Sequence, residues 1–184
     1  MLGLPDVFRA NTEGPWIQPD NASAEMLAAV ARDCPSGAIT YERIEGAEQE
    51  TPPPVNLIRI LENGPLAVHA DLKINEGKSV FRATICRCGA SRNKPFCDVS
   101  HKDINFTATG EPKTVDSEPL EKRDGTLNLS ALKDGPLIAT GNQEICTGTG
   151  RTVTRTQKAA LCRCGGSENK PFCDGSHQEI GFKG

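Results

Sequence analysis

"CRCGASRNKPFCDVSH" occupies residues 86–101, and "CRCGGSENKPFCDGSH" occupies residues 162–177. Each stretch carries three cysteines and one histidine. A single offset of 76 residues relates Cys86 to Cys162, Cys88 to Cys164, Cys97 to Cys173 and His101 to His177. Six of the eight cysteines and two of the three histidines obey it, so the stretch is a repeated unit. The copies differ at Val99, where the second has Gly175.

The repeat extends outward from the cysteines. "NGPL" (63–66) matches "DGPL" (134–137) with an offset of 71, so the second copy holds five extra residues between that turn and its cysteines. They fall within "CTGTGRTVTRTQ" (146–157), where a longer hairpin loop is the simplest reading. Downstream, "INF" (104–106) matches "IGF" (180–182). Strand signals precede each stretch: "VNLIRIL", "LAVHADLKI" and "SVFRATICRC" in the first, then "TLNLSAL", "LIATGNQEI" and "RTVTRTQKAALCRC" in the second. A sheet of two or three strands is not stable alone. Two such units are therefore expected to share a core as an intramolecular pseudo-dimer with an internal pseudo-twofold axis. The fold class expected is mainly β with short helices, with units at 55–108 and 127–184 behind a small α+β N-terminal domain at 1–50. "TPPP" (51–54) and "TGEPKTVDSEPLEKRDG" (109–125) read as linkers.

Ligand spacing narrows the chemistry. Cys86 and Cys88 stand two apart, so on an extended segment both sulfurs share a face and can grip one iron. Cys97 and His101 stand four apart, one helical turn, and can grip a second iron. Zinc also takes Cys and His ligands, but its sites mostly use cysteine pairs spaced by two to four residues. A 2Fe–2S cluster needs four ligands split two and two, which this arrangement supplies. Spacing favours iron–sulfur and leaves zinc open.

The pattern Cys-x-Cys-x2-Ser-x3-Pro-x-Cys-Asp-Gly-Ser-His resembles that of the CDGSH iron–sulfur domain, or NEET, family. The second copy matches it throughout and the first departs at Val99. The resemblance implies a β-rich cap above a cluster-binding layer and two 2Fe–2S clusters, one per unit. Cys86, Cys88, Cys97 and His101 would hold one cluster; Cys162, Cys164, Cys173 and His177 would hold the other. It implies electron or cluster transfer to a redox or cluster-acceptor protein; an oxidoreductase acting on a thiol or quinone is disfavoured because no substrate-pocket signature or spare catalytic base is present, so no enzymatic turnover is expected. A redox or iron sensor acting through a protein partner is the alternative. One His ligand should set the potential between Rieske and all-cysteine ferredoxin values. Because protons compete for His near neutral pH, electron uptake is expected to be proton-coupled and acid to promote cluster loss.

The N-terminal stretch "LPDVF…PWIQPD…CPSGAI" (4–44) resembles the divergent 4Fe–4S mono-cluster ferredoxin-like domain. That family has further cysteines upstream of the "LPDVF" position. Cys34 alone cannot hold such a cluster, so the expectation is a packing domain without one, the alternative being a natural start further upstream. "DNASAEMLAAVARDC" (20–34) reads as a helix capped by Ser23 or Asn21, and "CPSGAITYERI" (34–44) as a turn into a strand.

Composition bounds the rest. Only 36% of residues are hydrophobic and 4% aromatic, too lean for a deep apolar substrate pocket. A net charge of −3 argues against nucleic acid. The opening residues lack the basic and apolar regions of a secretory signal, and no apolar run is long enough for a membrane span. A cytoplasmic, reducing location and a monomer are expected. There, clustered cysteines read as metal ligands.

Other residues carry narrower expectations. Arg87 and Arg163 either tune the cluster or lie in solvent. Lys94 and Lys170 are exposed or dock an acidic partner. Ser91 and Ser167 bond cluster sulfur or backbone. Cys34 and Cys146 are free thiols, His69 is an ordinary strand residue, and Trp16 packs in the N-terminal core. Val99 is expected at negative φ within a helical turn over 97–101, since a β-branched residue at positive φ is an outlier.

Overall fold

The computed structural model describes residues 4–9, 13–44 and 49–184. The chain divides into two compact units, Met1–Thr51 and Pro52–Gly184. It is mainly β, with short helices beside the six strands of the second unit.

In the first unit, a 3-10 turn at Pro19–Asn21 leads into α1, Ala24–Asp33. Ser23 is the N-cap: its hydroxyl accepts from the Met26 N–H at 3.3 Å, satisfying one of the donors a helix start leaves free. The strand expected over 34–44 does not form among the described residues. A lone extended segment has no ladder to complete its backbone bonds, and among the unit's described residues the β-structure is a single Phe8–Ile17 bridge. Trp16, expected in the core, is 53% exposed and stacks at a tilt on Phe8 instead.

The second unit holds β1 (Leu57–Ile60), β2 (Leu66–Ile74) and β3 (Ser79–Ile85), then β4 (Thr126–Ala131), β5 (Leu137–Thr147) and β6 (Thr152–Leu161). Each triplet is an antiparallel meander, its first hairpin closed by the predicted Asn-Gly or Asp-Gly turn. The five extra residues do not enlarge a loop. Four residues join β2 to β3 and four join β5 to β6, while β5 is two longer than β2 and β6 three longer than β3. Alternating Thr, Val and Thr at 152–154 suit a strand, so the ladder absorbs them.

Each triplet lends its first strand to the other. β1 pairs antiparallel with β2 and parallel with β5; β4 pairs antiparallel with β5 and parallel with β2. Leu57 stands opposite Glu144 as Asn128 stands opposite Lys73, partners related by the same 71-residue offset. One apolar core therefore draws on all six strands, with Ile58, Leu72, Ile85, Leu127, Ile145 and Leu161 wholly buried. These alternate with exposed residues along β1 and β4, the period-two pattern of a half-buried strand.

The linker 109–125 is fastened to this sheet. Glu144 is buried and paired with Arg123 at 2.7 Å and Arg155 at 3.3 Å. Asn56, also buried, donates its side-chain amide to the carbonyls of Gly125 and Asn142.

The tightest contact between the triplets lies just beyond β3 and β6. Cys88 and Cys164 form a backbone bridge across them. Gly89 and Gly165 follow, at φ +83° and +82°. A Cβ on Gly89 would lie 2.5 Å from the Cys164 carbonyl oxygen, and one on Gly165 would lie 2.5 Å from that of Cys88. No side chain fits either place. Gly89→Ala or Gly165→Ala is expected to cost about 3 kcal/mol through backbone clash and strain. Gly150→Ala, at φ +101° in open space, should cost about 1 kcal/mol. Thermal unfolding of the three variants checks this, and equal losses would refute the clash.

Candidate metal centre

β3 and β6 each run directly into a cysteine pair, so the ligand stretch inherits its direction from the sheet. The chain then folds back: Ile85 bridges Phe96 and Leu161 bridges Phe172. The Cys86 N–H donates to the Pro95 carbonyl and the Cys97 N–H to that of Thr84. The second copy repeats both bonds at Cys162–Pro171 and Cys173–Ala160. Return of the chain to the strand it left brings the late ligands beside the early ones.

The donors meet as pairs. Cys86 Sγ lies 3.7 Å from Cys88 Sγ, and Cys97 Sγ lies 3.5 Å from His101 Nδ1. The second copy has Cys162 and Cys164 at 3.7 Å and Cys173 and His177 Nδ1 at 3.4 Å. Among the described residues, no three His, Cys, Asp or Glu side chains converge to hold one ion. Burial pushes the Cys88 thiol up to about 11, and the Cys86 and Cys97 sulfurs add to the rise. Burial likewise raises Cys97 and Cys164. Thiols so placed become thiolate ligands only against a positive charge.

Cys97 and His101 do not meet on a helical face. The helices start later, α2 at Ser100–Asp103 and α3 at Ser176–Glu179. Val99 is the residue before α2, and its φ is +74°, matching Gly175 at +97° before α3. The expected negative φ is therefore wrong. The left-handed residue turns the chain sharply enough to bring His101 back to Cys97, and the Val99 N–H donates to Cys97 Sγ at 3.4 Å. Val99 accepts the strain that glycine avoids at Gly175.

Asp98 and Asp174 hold these turns. Asp98 accepts from the backbone N–H groups of Arg92 and Ser100, and Asp174 from those of Glu168 and Ser176. Hydrogen bonds from the neighbouring serine and then from backbone N–H groups hold both carboxyls well below the usual carboxylate range. Ser91 and Ser167 serve the backbone: each donates to a carbonyl, Phe96 or Phe172, and accepts from an N–H, Asn93 or Asn169. Lys94 and Lys170 are tied down too, each donating to the carbonyl of its own serine.

Arg87 and Arg163 are neither solvated nor free to move. They are 1% and 3% exposed. Arg87 donates to the carbonyls of Leu61, Gly64, Ala108 and Thr109, at 2.7 to 3.1 Å, and lies 5.5 Å from the centre of the Phe106 ring. Arg163 donates to those of Leu132, Gly135 and Gly184 and covers Phe182 at 5.4 Å. Each arginine thus fastens the Asn-Gly or Asp-Gly turn and the segment after the helix to the cysteine pair. Burial lowers both guanidinium pKa values, partly offset across the repeat by Cys162 for Arg87 and Cys86 for Arg163. The repeated Phe of "INF" and "IGF" was the sequence signal for this clasp.

Of the remaining residues, Cys34 and Cys146 are buried free thiols, and His69 lies in β2 opposite Leu57 and Arg82.

Because a Cβ on Gly175 meets nothing within 4 Å, Val99 differs from it in backbone strain alone. Val99→Gly is expected to stabilise the protein by about 1 kcal/mol and Gly175→Val to destabilise it by about 1–2 kcal/mol. Denaturant midpoints measure both, and a loss of stability in Val99→Gly would contradict the strain.

The family profile described as iron-binding zinc finger, CDGSH type, matches residues 63–102 and 134–178. A second profile, divergent 4Fe–4S mono-cluster, matches residues 1–43. The CDGSH iron-sulfur domain-containing protein 1 of Rattus norvegicus is 36% identical over 81 residues, which cover 42% of this chain and 70% of that protein. The protein of the same description from Mus musculus gives the same figures. The two profile matches fall on the two ligand stretches, and the chain belongs to the CDGSH iron–sulfur domain family, with the domain present twice.

Proposed function

We propose that this chain is a non-enzymatic carrier that holds two 2Fe–2S clusters and passes electrons or clusters to a redox or cluster-acceptor protein. The pairing of donors carries the reading. Two sulfurs on one tetrahedral metal, each about 2.3 Å from it, stand roughly 3.7 Å apart, the spacing of both cysteine pairs. A second pair, Cys with His, stands beside each. Four donors in two pairs suit a binuclear group better than one zinc ion. Cys86 with Cys88, and Cys97 with His101, would hold one cluster; Cys162 with Cys164, and Cys173 with His177, the other. Such a cluster supplies one-electron redox chemistry when bound.

The protein's part is to shield and to admit protons. Cys86 and Cys162 are buried, while Cys97, His101, Cys173 and His177 are half-buried. Exchange is therefore expected at the Cys–His side. With Nδ1 turned to sulfur, Nε2 of each histidine is the atom left to carry a proton. Exchanged first strands and the bridged cysteine pairs support one internal pseudo-dimer in which neither copy completes its core alone. Cys34 is the sole cysteine of residues 1–51, and one cysteine does not supply the four ligands that a 4Fe–4S cluster takes.

Transfer of colour, iron and sulfide from the holo-protein to an apo-ferredoxin, or one-electron oxidation of its reduced form by that ferredoxin's holo form, tests the carrier role. Failure of both would refute it. His101→Cys and His177→Cys test the proton coupling. In the altered copy, the midpoint potential should lose most of its pH dependence near neutrality, and cluster loss on acidification should slow about tenfold. Unchanged pH profiles would overturn that reading.

A further inference from the structure

The two ligand stretches share a backbone but not a surface. Residues 91–104 carry Arg92, Lys94 and Lys102 against Asp98 and Asp103, a formal +1. Residues 167–180 carry Lys170 against Glu168, Asp174 and Glu179, a formal −2. Lys94 and Lys170 each donate to the carbonyl of their own serine, Lys94 also lying over the Phe182 ring at 5.8 Å, and the acidic residues at 98 and 174, and at 103 and 179, correspond. The difference therefore rests on Arg92 where the second copy has Glu168, and on Lys102 where it has Gln178. Both basic residues are exposed.

They gather around Val99. Asp98 binds the backbone of Arg92 on one side and of Ser100 on the other, and the Lys102 N–H donates to the Val99 carbonyl. Arg92, Val99 and Lys102 are thus tied by backbone bonds to one tight turn, which also carries the half-buried His101. Val99 is 51% exposed. Among the described residues, the other non-glycine residues at positive φ are Asn and Asp, which adopt that conformation at low cost. A β-branched residue there pays strain to display an apolar group in water. Strain retained at a surface turn beside a ligand points to a contact that uses it.

We propose that the first copy presents the docking face of this protein, and that its partner is an acidic protein with a small apolar contact at the centre of its patch. This rests on the carrier reading and says which of the two sites meets the partner. A positive rim on a chain of net charge −3 orients an acidic partner toward the first site, while the −2 face of the second repels it. Nucleic acid and anionic membranes fit less well. Two basic residues set among carboxylates fall short of the basic stripe or polybasic cluster those surfaces require.

Association of the purified 184-residue protein with a small acidic plant-type holo-ferredoxin, followed on a biosensor at low and moderate salt, tests the inference. The wild type should bind, and binding should weaken with salt. Arg92→Glu with Lys102→Gln should slow association about tenfold. The charge-matched control Lys122→Glu with Lys133→Gln should change it less than twofold. Val99→Gly should mainly quicken dissociation. No binding by the wild type, equal losses in the two double variants, or preference for phosphatidylserine-containing vesicles over the ferredoxin would each overturn the docking face. Iron and sulfide are measured on every variant first. Absent clusters would instead strike at the carrier reading, because association is measured whether or not they are present.

Discussion

Everything in the second unit is arranged around a place with no room for a side chain. Cys88 and Cys164 meet backbone to backbone, and Gly89 and Gly165 let them do so. This contact sets the two cysteine pairs beside each other and fixes how the two strand triplets face. The exchange of β1 and β4 follows the same symmetry, so the core under the sites is a joint product of both copies. Within that frame Arg87 and Arg163 act as internal clamps. Each spends a buried charge on backbone carbonyls of its own copy and is felt by the first cysteine of the other. A buried guanidinium is costly unless satisfied, and here three or four carbonyls and a ring face satisfy it.

Much of this was legible in the residues. The two offsets located the repeat, the alternation of apolar residues marked the strands, and the Asn-Gly and Asp-Gly turns closed the hairpins. The spacing of Cys86, Cys88, Cys97 and His101 marked side chains that the structure brings together in pairs. What escaped depended on tertiary context. Five inserted residues read as a loop, yet two strands paired with each other can lengthen together, as β5 and β6 do. For Arg87 the residues offered cluster tuning or solvation and not a clamp, because nothing local announces that four carbonyls will converge on it. A helical turn over 97–101 satisfied the spacing of Cys97 and His101, but the left-handed Val99 achieves the same meeting by another route. Trp16 looked like core, yet a short unit with one helix buries little.

Duplication within one chain also frees the two sites from each other. Copies made by association of identical subunits must present identical faces, whereas Arg92 and Glu168, Lys102 and Gln178, and Val99 and Gly175 have diverged over a common backbone. The features that hold the backbone, from the serine and aspartate turn locks to the buried arginine clamps, have stayed the same. The bonds that shape the two cysteine and histidine stretches are held constant, and the charge and apolar character of their exposed turns vary.

The central claim is that each set of paired donors holds a binuclear iron–sulfur group. Metal and acid-labile sulfide counts on the purified protein, read with its visible spectrum, address it most directly. The account predicts four irons and four sulfides per chain, with both counts halved when Cys162 and Cys164 are replaced by serine. A colourless protein carrying zinc, or iron and sulfide unaffected by those replacements, would contradict it.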